Sequence, residues 1–258
     1  MNKKEIGITG GTGVLGKIIC KDLDSMNFNY SKFKGDICSK KEISEWVLKN
    51  NFDSIIHLAA IVSTKQVDKD LEYAYSVNVE GTENLINILN ENNLNPWLFY
   101  ASTSHVYKSS NTLIKEEDIT NPISEYGKTK YDAEKIIQES YTNYCIGRIF
   151  SFYHQTQKKS FLYPRIKYRL DNEDLSKDFE LYGANSIRDF LNAEEVSKII
   201  IQLMQKRAKG IYNIASGKGI KIKDFVQNLT NKKLNIKSVG GSDYLVADIT
   251  KLKKVLRK

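Results

Sequence analysis

The chain reads as an α/β protein: a mostly parallel sheet with helices on both faces, and a small lobe built from the C-terminal part. Three observations predict this. Ile6-Gly7-Ile8-Thr9 is a short strand-like run that leads into Gly10, Gly13 and Gly16, spaced three apart, and a helix-compatible segment follows. Apolar runs then alternate with amphipathic helical segments as far as Phe150, the rhythm of parallel strands joined by crossover helices. Beyond Phe150 the alternation loosens. Residues 1–150 are therefore expected to form a dinucleotide-binding sheet domain and 151–258 a small substrate lobe. With no Pro- or Ser-rich linker between them, the lobe should be interleaved with the core.

The opening strand and the helix from Lys17 to Met26 are joined by a tight turn. Free backbone N–H groups at such a helix N-terminus can hold a pyrophosphate, helped by the helix dipole. Gly10 suits the turn, Gly13 the approach of phosphates, and Gly16 close helix–sheet packing. A glycine-rich loop without a ligand is the plainer alternative. Asn27 to Phe33 predicts a short second strand. The carboxylate that takes ribose hydroxyls in many dinucleotide sites is missing there, since no acidic residue lies between Asp24 and Asp36. Lys32 and Lys34 stand where a 2′-phosphate can be accommodated, which favours NADPH over NADH; two solvated edge lysines are the alternative.

Asp36-Ile37 precedes a helix over Ser39 to Asn50, with Ser39 as N-cap and Glu42 completing a capping box. Asp36 is expected near the adenine. Ser54 to Leu58 is a strand followed by Ala59 and Ala60, small residues that leave room for a cofactor at the sheet edge. Asp70 to Asn92 predicts one long helix, with Asn78 inside an otherwise apolar stripe. Trp97 to Ser102 is a strand ending in Ser102-Thr103-Ser104-His105, hydroxyls at the strand end where open α/β sheets bind ligands. In the helix from Glu125 to Ser140, Tyr126 and Lys130 are four apart and share a face. A positive Lys130 beside Tyr126 is expected to lower the phenol pKa from about 10, so that it exchanges a proton with a carbonyl or alcohol.

The remaining elements are a strand at Tyr144 to Phe150, an amphipathic segment at Phe161 to Leu170 and a short strand at Glu180 to Gly183. Arg188-Asp189-Phe190-Leu191 leads into a helix at Ala193 to Lys206, followed by a strand at Ile211 to Ala215 and a helix at Lys223 to Leu229. Val246 to Ile249 reads as the last strand and Lys251 to Leu256 as a short helix.

Composition narrows the function classes. No apolar run approaches the length of a membrane span, and Lys3 and Lys4 are not followed by a signal-peptide pattern. Three widely separated cysteines lack ligand spacing, so no metal site is expected and reduced thiols in a cytoplasmic protein are the simplest reading. The formal charge is +8, carried by scattered lysines without a nucleic-acid-binding module, so neither nucleic acid nor membrane is expected as a partner. A positive field suits an anionic nucleotide substrate.

Further motifs fall into a family order. Gly10-Gly11-Thr12-Gly13-Val14-Leu15-Gly16 is followed by Asp36-Ile37, His57-Leu58-Ala59-Ala60, Asn78, Ser102-Thr103-Ser104 and Tyr126-Gly127-Lys128-Thr129-Lys130. Arg188-Asp189-Phe190 and Tyr212-Asn213-Ile214-Ala215-Ser216-Gly217 complete the series. Over nearly its whole length the chain resembles the extended short-chain dehydrogenase/reductases. The nearest likeness is to the nucleotide-sugar branch, the NAD-dependent epimerase/dehydratase family, and within it to the dTDP-4-dehydrorhamnose reductase group.

The resemblance implies a Rossmann-type sheet and NADP or NAD as cofactor. The cofactor would be held by Gly10, Thr12, Gly13, Val14, Leu15, Gly16, Asp36, Ile37, Leu58, Ala59, Ala60, Asn78, Tyr126 and Lys130. Tyr126 would be the catalytic acid or base, Lys130 its partner on the nicotinamide ribose, and Thr103 the hydrogen-bonding partner of the substrate oxygen. Ser104, His105 and Arg188 would meet the substrate, Arg188 at a diphosphate for which a bidentate guanidinium is suited. The implied activity is reduction of a 4-keto nucleotide sugar for surface-polysaccharide precursors. A 4-epimerase with tightly bound NAD is the alternative, and a non-catalytic NAD(P)-binding protein a third reading that the intact Thr103, Tyr126 and Lys130 oppose. A homodimer through the helices at Asp70 to Asn92 and Glu125 to Ser140 is implied; burial of their apolar faces against the sheet is the other use for them. Two departures matter. Ser104 and His105 stand where dehydratases carry an Asp-Glu pair, which argues against dehydration; His105 either faces the substrate or packs on the sheet edge. Phe152-Tyr153-His154 replaces the usual Tyr-Gly-Pro, in a short C-terminal half.

Overall fold

The computed structural model describes residues 5–257; Lys3 and Lys4 lie outside them. In chain order the strands are β1 (Glu5–Thr9), β2 (Asn29–Lys32), β3 (Phe52–His57), β4 (Trp97–Thr103), β5 (Tyr144–Ile149) and β6 (Ser151–Tyr153). They continue with β7 (Asp178–Tyr182), β8 (Ile187–Asn192), β9 (Gly210–Ile214), β10 (Gly219–Lys221), β11 (Asn235–Val239) and β12 (Tyr244–Leu245). The helices are α1 (Val14–Ser25), α2 (Lys40–Lys49), α3 (Thr64–Lys69), α4 (Leu71–Tyr75) and α5 (Gly81–Glu91). After them come α6 (Glu125–Ser140), α7 (Leu162–Asn172), α8 (Ala193–Gln205), α9 (Ile222–Gln227) and α10 (Thr250–Arg257).

The central sheet has six strands in the order β2-β1-β3-β4-β5-β9, all paired in parallel. Its strands are covered on both faces, which is why they read as nearly continuous apolar runs. On one face Ile6, Ile8, Ile56 and Phe99 pack with Ile19 and Leu23 of α1, Val196 and Ile200 of α8, and Leu252 of α10. On the other, Ile55, Leu98 and Ile146 pack with Ile43 of α2, Leu85 and Leu89 of α5, and Ala133 and Ile137 of α6. The period of two along each strand decides which residue goes to which side. The apolar faces of α5 and α6 are thus spent on the sheet. Strand β9 and helices α8 and α10, all from beyond residue 150, complete this first body. The rest of the C-terminal part forms a lobe of two small sheets, β10-β8-β12 with β6 on β8, and a parallel β7–β11 pair, around Ile166, Phe179, Leu181, Ile222 and Val226.

Several elements depart from the sequence reading. Arg188 to Leu191, which the sequence reading gave no element of its own ahead of the helix at Ala193, is part of strand β8; there Asp189 faces inward and accepts from Ser216 N, Ser216 Oγ and Gly217 N. The last strand is Tyr244–Leu245 instead of Val246 to Ile249; Ala247 makes only an isolated bridge to Ile114. The long helix from Asp70 is divided by a π turn at Ser76–Glu80. Helix α3 and strand β11 were not foreseen. At α2 the capping box is half formed: Ser39 Oγ accepts from Glu42 N, but the Glu42 carboxylate reaches past Ser39 to accept from Asp36 N at 3.0 Å. No helix among the described residues is long and apolar enough to cross a membrane.

Candidate active site

The glycine loop sits at the C-terminal end of β1. Gly10 has φ +68°, and a Cβ there would lie 2.6 Å from Ala59 N. Only glycine meets both conditions. A Cβ on Gly16 would lie 2.4 Å from Gly10 O, so Gly16 is what lets α1 close on the loop. Gly13 differs: its N–H donates to Gly10 O at 3.0 Å, and an added Cβ would meet only that oxygen, at 3.3 Å. Open space therefore faces Gly13, the N-cap of α1, and no side chain occupies the first-turn amides. This cradle fits a dinucleotide pyrophosphate. The aliphatic stem of Lys32 crosses the loop, its Cδ 3.0 Å from where a Gly11 Cβ would stand.

Beneath the loop, Thr9 Oγ1 accepts from Leu58 N and Ala59 N, both at 3.2 Å, and meets Nδ1 of buried His57 at 2.6 Å. The π turn presents Asn78 to the next stretch of chain. Asn78 Oδ1 accepts from Ile61 N at 2.7 Å, and Nδ2 donates to Ile61 O and to Thr129 Oγ1, both at 3.0 Å. One side chain thereby fixes the loop after β3 against α6.

Helix α6 starts at Ser124, whose hydroxyl accepts from Gly127 N at 3.1 Å. A Cβ on Gly127 would come within 2.4 Å of His105 O, so this glycine lets the first turn of α6 rest on the chain just after β4. Tyr126 is consequently brought to Thr103, and the His105 ring meets it edge-on with centroids 5.5 Å apart. Lys130, one turn on, is buried with its Nζ 4.1 Å above the Tyr100 ring.

The electrostatics differ from the sequence expectation. Burial pushes the Tyr126 phenol up to about 12, opposed by its hydrogen bond with Thr103; Lys130 is not among the groups that move it. Desolvation outweighs the charge one turn away. Burial also brings Lys130 down to about 7, with Glu134 opposing. Glu134 itself was missed. It is fully buried, accepts from Ser102 Oγ, and pairs with Arg148, whose Nη2 lies 2.8 Å from Oε2. Its sequence signal was the helical spacing Tyr126, Lys130, Glu134.

The cleft has a volume of about 390 Å³. Gly10, Gly13, Val14, Leu15, Gly16, Leu58, Ala60, Thr103 and Tyr126 all line it, together with Phe150, Phe152, Gln157, Lys158 and Phe161, none of which was foreseen as a site residue. Asn78, Lys130 and Ser104 are buried around it, and Thr12 is exposed on the loop. Asp36 and Ile37 are not brought to the lining: the Asp36 carboxylate accepts from Cys38 N at 2.9 Å, and Ile37 packs in the core beneath. Burial, with the nearby Arg188 charge adding to it, holds the His105 imidazole below its usual pKa. The Arg188 guanidinium is engaged, however, with Nη2 at 2.7 Å from both Asp243 carboxylate oxygens.

A glycine cradle at the carboxyl end of a parallel sheet, facing a Thr–Tyr–Lys constellation, defines a dinucleotide-dependent enzyme of the Rossmann type. Residues 6–215 match the model of the NAD dependent epimerase/dehydratase family, and the chain belongs to that family. It is similar to the dTDP-4-dehydrorhamnose reductase of Salmonella typhimurium, 26% identical over 204 residues covering 79% of this chain and 66% of that enzyme. The chain thus spans just under two thirds of that relative's length. The dTDP-4-dehydro-6-deoxyglucose reductase of Escherichia coli is 29% identical over 275 residues, covering 93% of this chain and 84% of the enzyme. Among solved structures, dTDP-4-dehydrorhamnose reductase from Bacillus anthracis in complex with NADP superposes with TM-score 0.85 at 22% identity, over 98% of this chain and 92% of that one.

Proposed function

We propose that this chain is an NADPH-dependent reductase of a 4-keto nucleotide sugar. The observation that carries this reading is the convergence of the glycine cradle, Thr103 and Tyr126 on one cleft, with Lys130 buried beneath it. NADPH, when bound, supplies the hydride. Tyr126, with its pKa pushed up to about 12, keeps its proton at neutral pH, the form needed to donate to a carbonyl oxygen that is gaining negative charge. The Thr103 hydroxyl orients the phenol and is available to the same oxygen. The Lys130 ammonium supplies positive charge beneath them and, in this reading, holds the ribose beside the nicotinamide. Asn78 keeps the loop after β3 from drifting into that space. Lys32, reaching across Gly11 with no carboxylate at ion-pair distance among the described residues, is the group for an adenosine 2′-phosphate. The two reductases named above support the substrate class, and Ser104 and His105 in place of an acidic pair disfavour dehydration.

The test is a panel of 4-keto nucleotide sugars with NADPH and NADH, following cofactor oxidation. Tyr126→Phe should lower turnover by about 10²–10⁴-fold and leave NADPH affinity nearly unchanged. Turnover that persists in the Phe variant sinks the mechanism. Cofactor retained stoichiometrically through purification favours the 4-epimerase instead.

A further inference from the structure

A carboxylate lies under the cleft with no part in the steps above. Glu134 follows Lys130 by one helical turn on α6, and both side chains are buried on the face turned toward the sheet. Glu134 Oε1 accepts from the Ser102 hydroxyl and, at 3.1 Å, from Arg148 Nε. Oε2 accepts from Arg148 Nε at 3.2 Å and Nη2 at 2.8 Å. Arg148 is itself anchored, donating through Nη1 to the Tyr107 hydroxyl at 2.8 Å and to Glu116 O at 3.0 Å. Glu134 thus pairs directly with Arg148, while Lys130, a second buried cation, stands one helical turn away on the same face and feels its charge without a direct ion pair. Lys130 has no hydrogen-bond acceptor among the described residues and rests on the Tyr100 ring. Withdrawing an ammonium from water costs several kcal/mol, more than one aromatic face returns.

We propose that Glu134 is a positioning residue for the reaction: the counter-charge that keeps the Lys130 ammonium beneath the cleft, anchored in turn by Arg148 and Ser102. The groups around Lys130 are Glu134 on its own helix, Tyr100 from β4 and His57 from β3, with Arg148 of β5 behind Glu134. Only Glu134 among them is a carboxylate. It opposes the burial that brings Lys130 down to about 7. The link to catalysis rests on the reading of Lys130 as the partner of Tyr126 at the cofactor.

The test uses the full chain labelled with ¹³C at the lysine ε-carbons and titrated by NMR, the Lys130 signal being identified by its loss in Lys130→Met. Glu134→Gln keeps the shape and the hydrogen-bonding atoms. In this variant the Lys130 midpoint should fall by about one pH unit or more. NADPH, followed by fluorescence, should bind within about twofold of the wild type near pH 6 but about tenfold more weakly near pH 8. Should the Gln variant fail to fold, Glu134→Gln combined with Arg148→Met removes both partners, an exchange that buried ion pairs often tolerate, and a smaller fall is expected. A Lys130 midpoint that stays at the wild-type value in a folded variant overturns the proposal. A lowered midpoint with NADPH affinity equal to the wild type at both pH values upholds the counter-charge and refutes the cofactor reading of Lys130.

Discussion

Thr9 Oγ1 lies 2.6 Å from Nδ1 of His57, and this contact settles the state of the imidazole. The Thr9 hydroxyl oxygen already accepts from Leu58 N and Ala59 N, so its proton goes to Nδ1. On the other side, Thr82 Oγ1 donates to Asn78 O at 2.9 Å and is left to accept from Nε2, 3.0 Å away. His57 is thus neutral with its proton on Nε2, clasping β1 and α5 to its own strand β3 beneath the glycine loop.

Burial, with the Lys130 charge adding to it, lowers the His57 pKa to about 3. The unfolded chain takes up this proton near pH 6.5, so it binds more protons than the folded one between about pH 6.5 and pH 3. Stability is therefore full above pH 6.5 and drains away as the pH falls through that window. Between pH 7 and pH 5 the loss from this one group is about 2 kcal/mol. His57→Asn should be less stable than the wild type at pH 7 yet lose about 2 kcal/mol less on going to pH 5, in urea unfolding curves. Equal losses in the two proteins would mean that His57 is not held neutral.

The glycine loop offers a pair of substitutions that separate fold from cofactor. Gly16→Ala drives a Cβ to 2.4 Å from Gly10 O, a backbone atom that cannot move without reshaping the loop. It should destabilise the protein by about 1–3 kcal/mol and abolish dinucleotide binding. Gly13→Ala meets only Gly10 O at 3.3 Å and has an ordinary φ of −68°. Its melting temperature should stay close to that of the wild type, while NADPH affinity falls at least about tenfold because the methyl group fills the phosphate approach. A Gly13→Ala variant that binds NADPH normally would move the pyrophosphate away from this loop.

What was legible in the sequence was what is local in the chain. The glycine spacing, the Ser39 cap, and the placing of Tyr126 and Lys130 on one helix face all rest on neighbours within a few residues. Glu134 was one further step along the same helical spacing. Its partner Arg148 is not, since only the pairing of β4 with β5 turns that side chain toward α6. Arg188 shows the same limit. Its residue type suggests an anion site, yet Asp243, which takes its guanidinium, is 55 positions away and reaches it through the β8–β12 pairing. The Tyr126 expectation erred in direction: spacing identifies the nearest charge, whereas the pKa is decided by how dry the surroundings are, which depends on the whole fold.

Cofactor choice turns on Lys32. Strand β2 ends there, and its stem lies across Gly11, so the ammonium extends from the rim of the cradle. The carboxylates nearest in the chain are turned elsewhere: Asp24 accepts from the Tyr30 hydroxyl at 3.1 Å, and Asp36 from Cys38 N at 2.9 Å. A hydrogen bond to a charged group contributes about 1.5–3 kcal/mol, and Lys32 is exposed, so the lower figure applies, which is about tenfold in affinity. Fluorescence titration of the wild type should therefore give NADPH about tenfold tighter than NADH. Lys32→Ala should bring the two within about threefold by weakening NADPH alone, since NADH has no 2′-phosphate to lose. Lys32→Asp should reverse the order, because a carboxylate repels that phosphate and accepts from ribose hydroxyls. The wild-type advantage should also shrink at about 0.5 M salt, where exposed charges are screened over a few ångströms. Equal affinity for the two cofactors in the wild type would remove Lys32 from the site and leave the glycine cradle as the only determinant of binding.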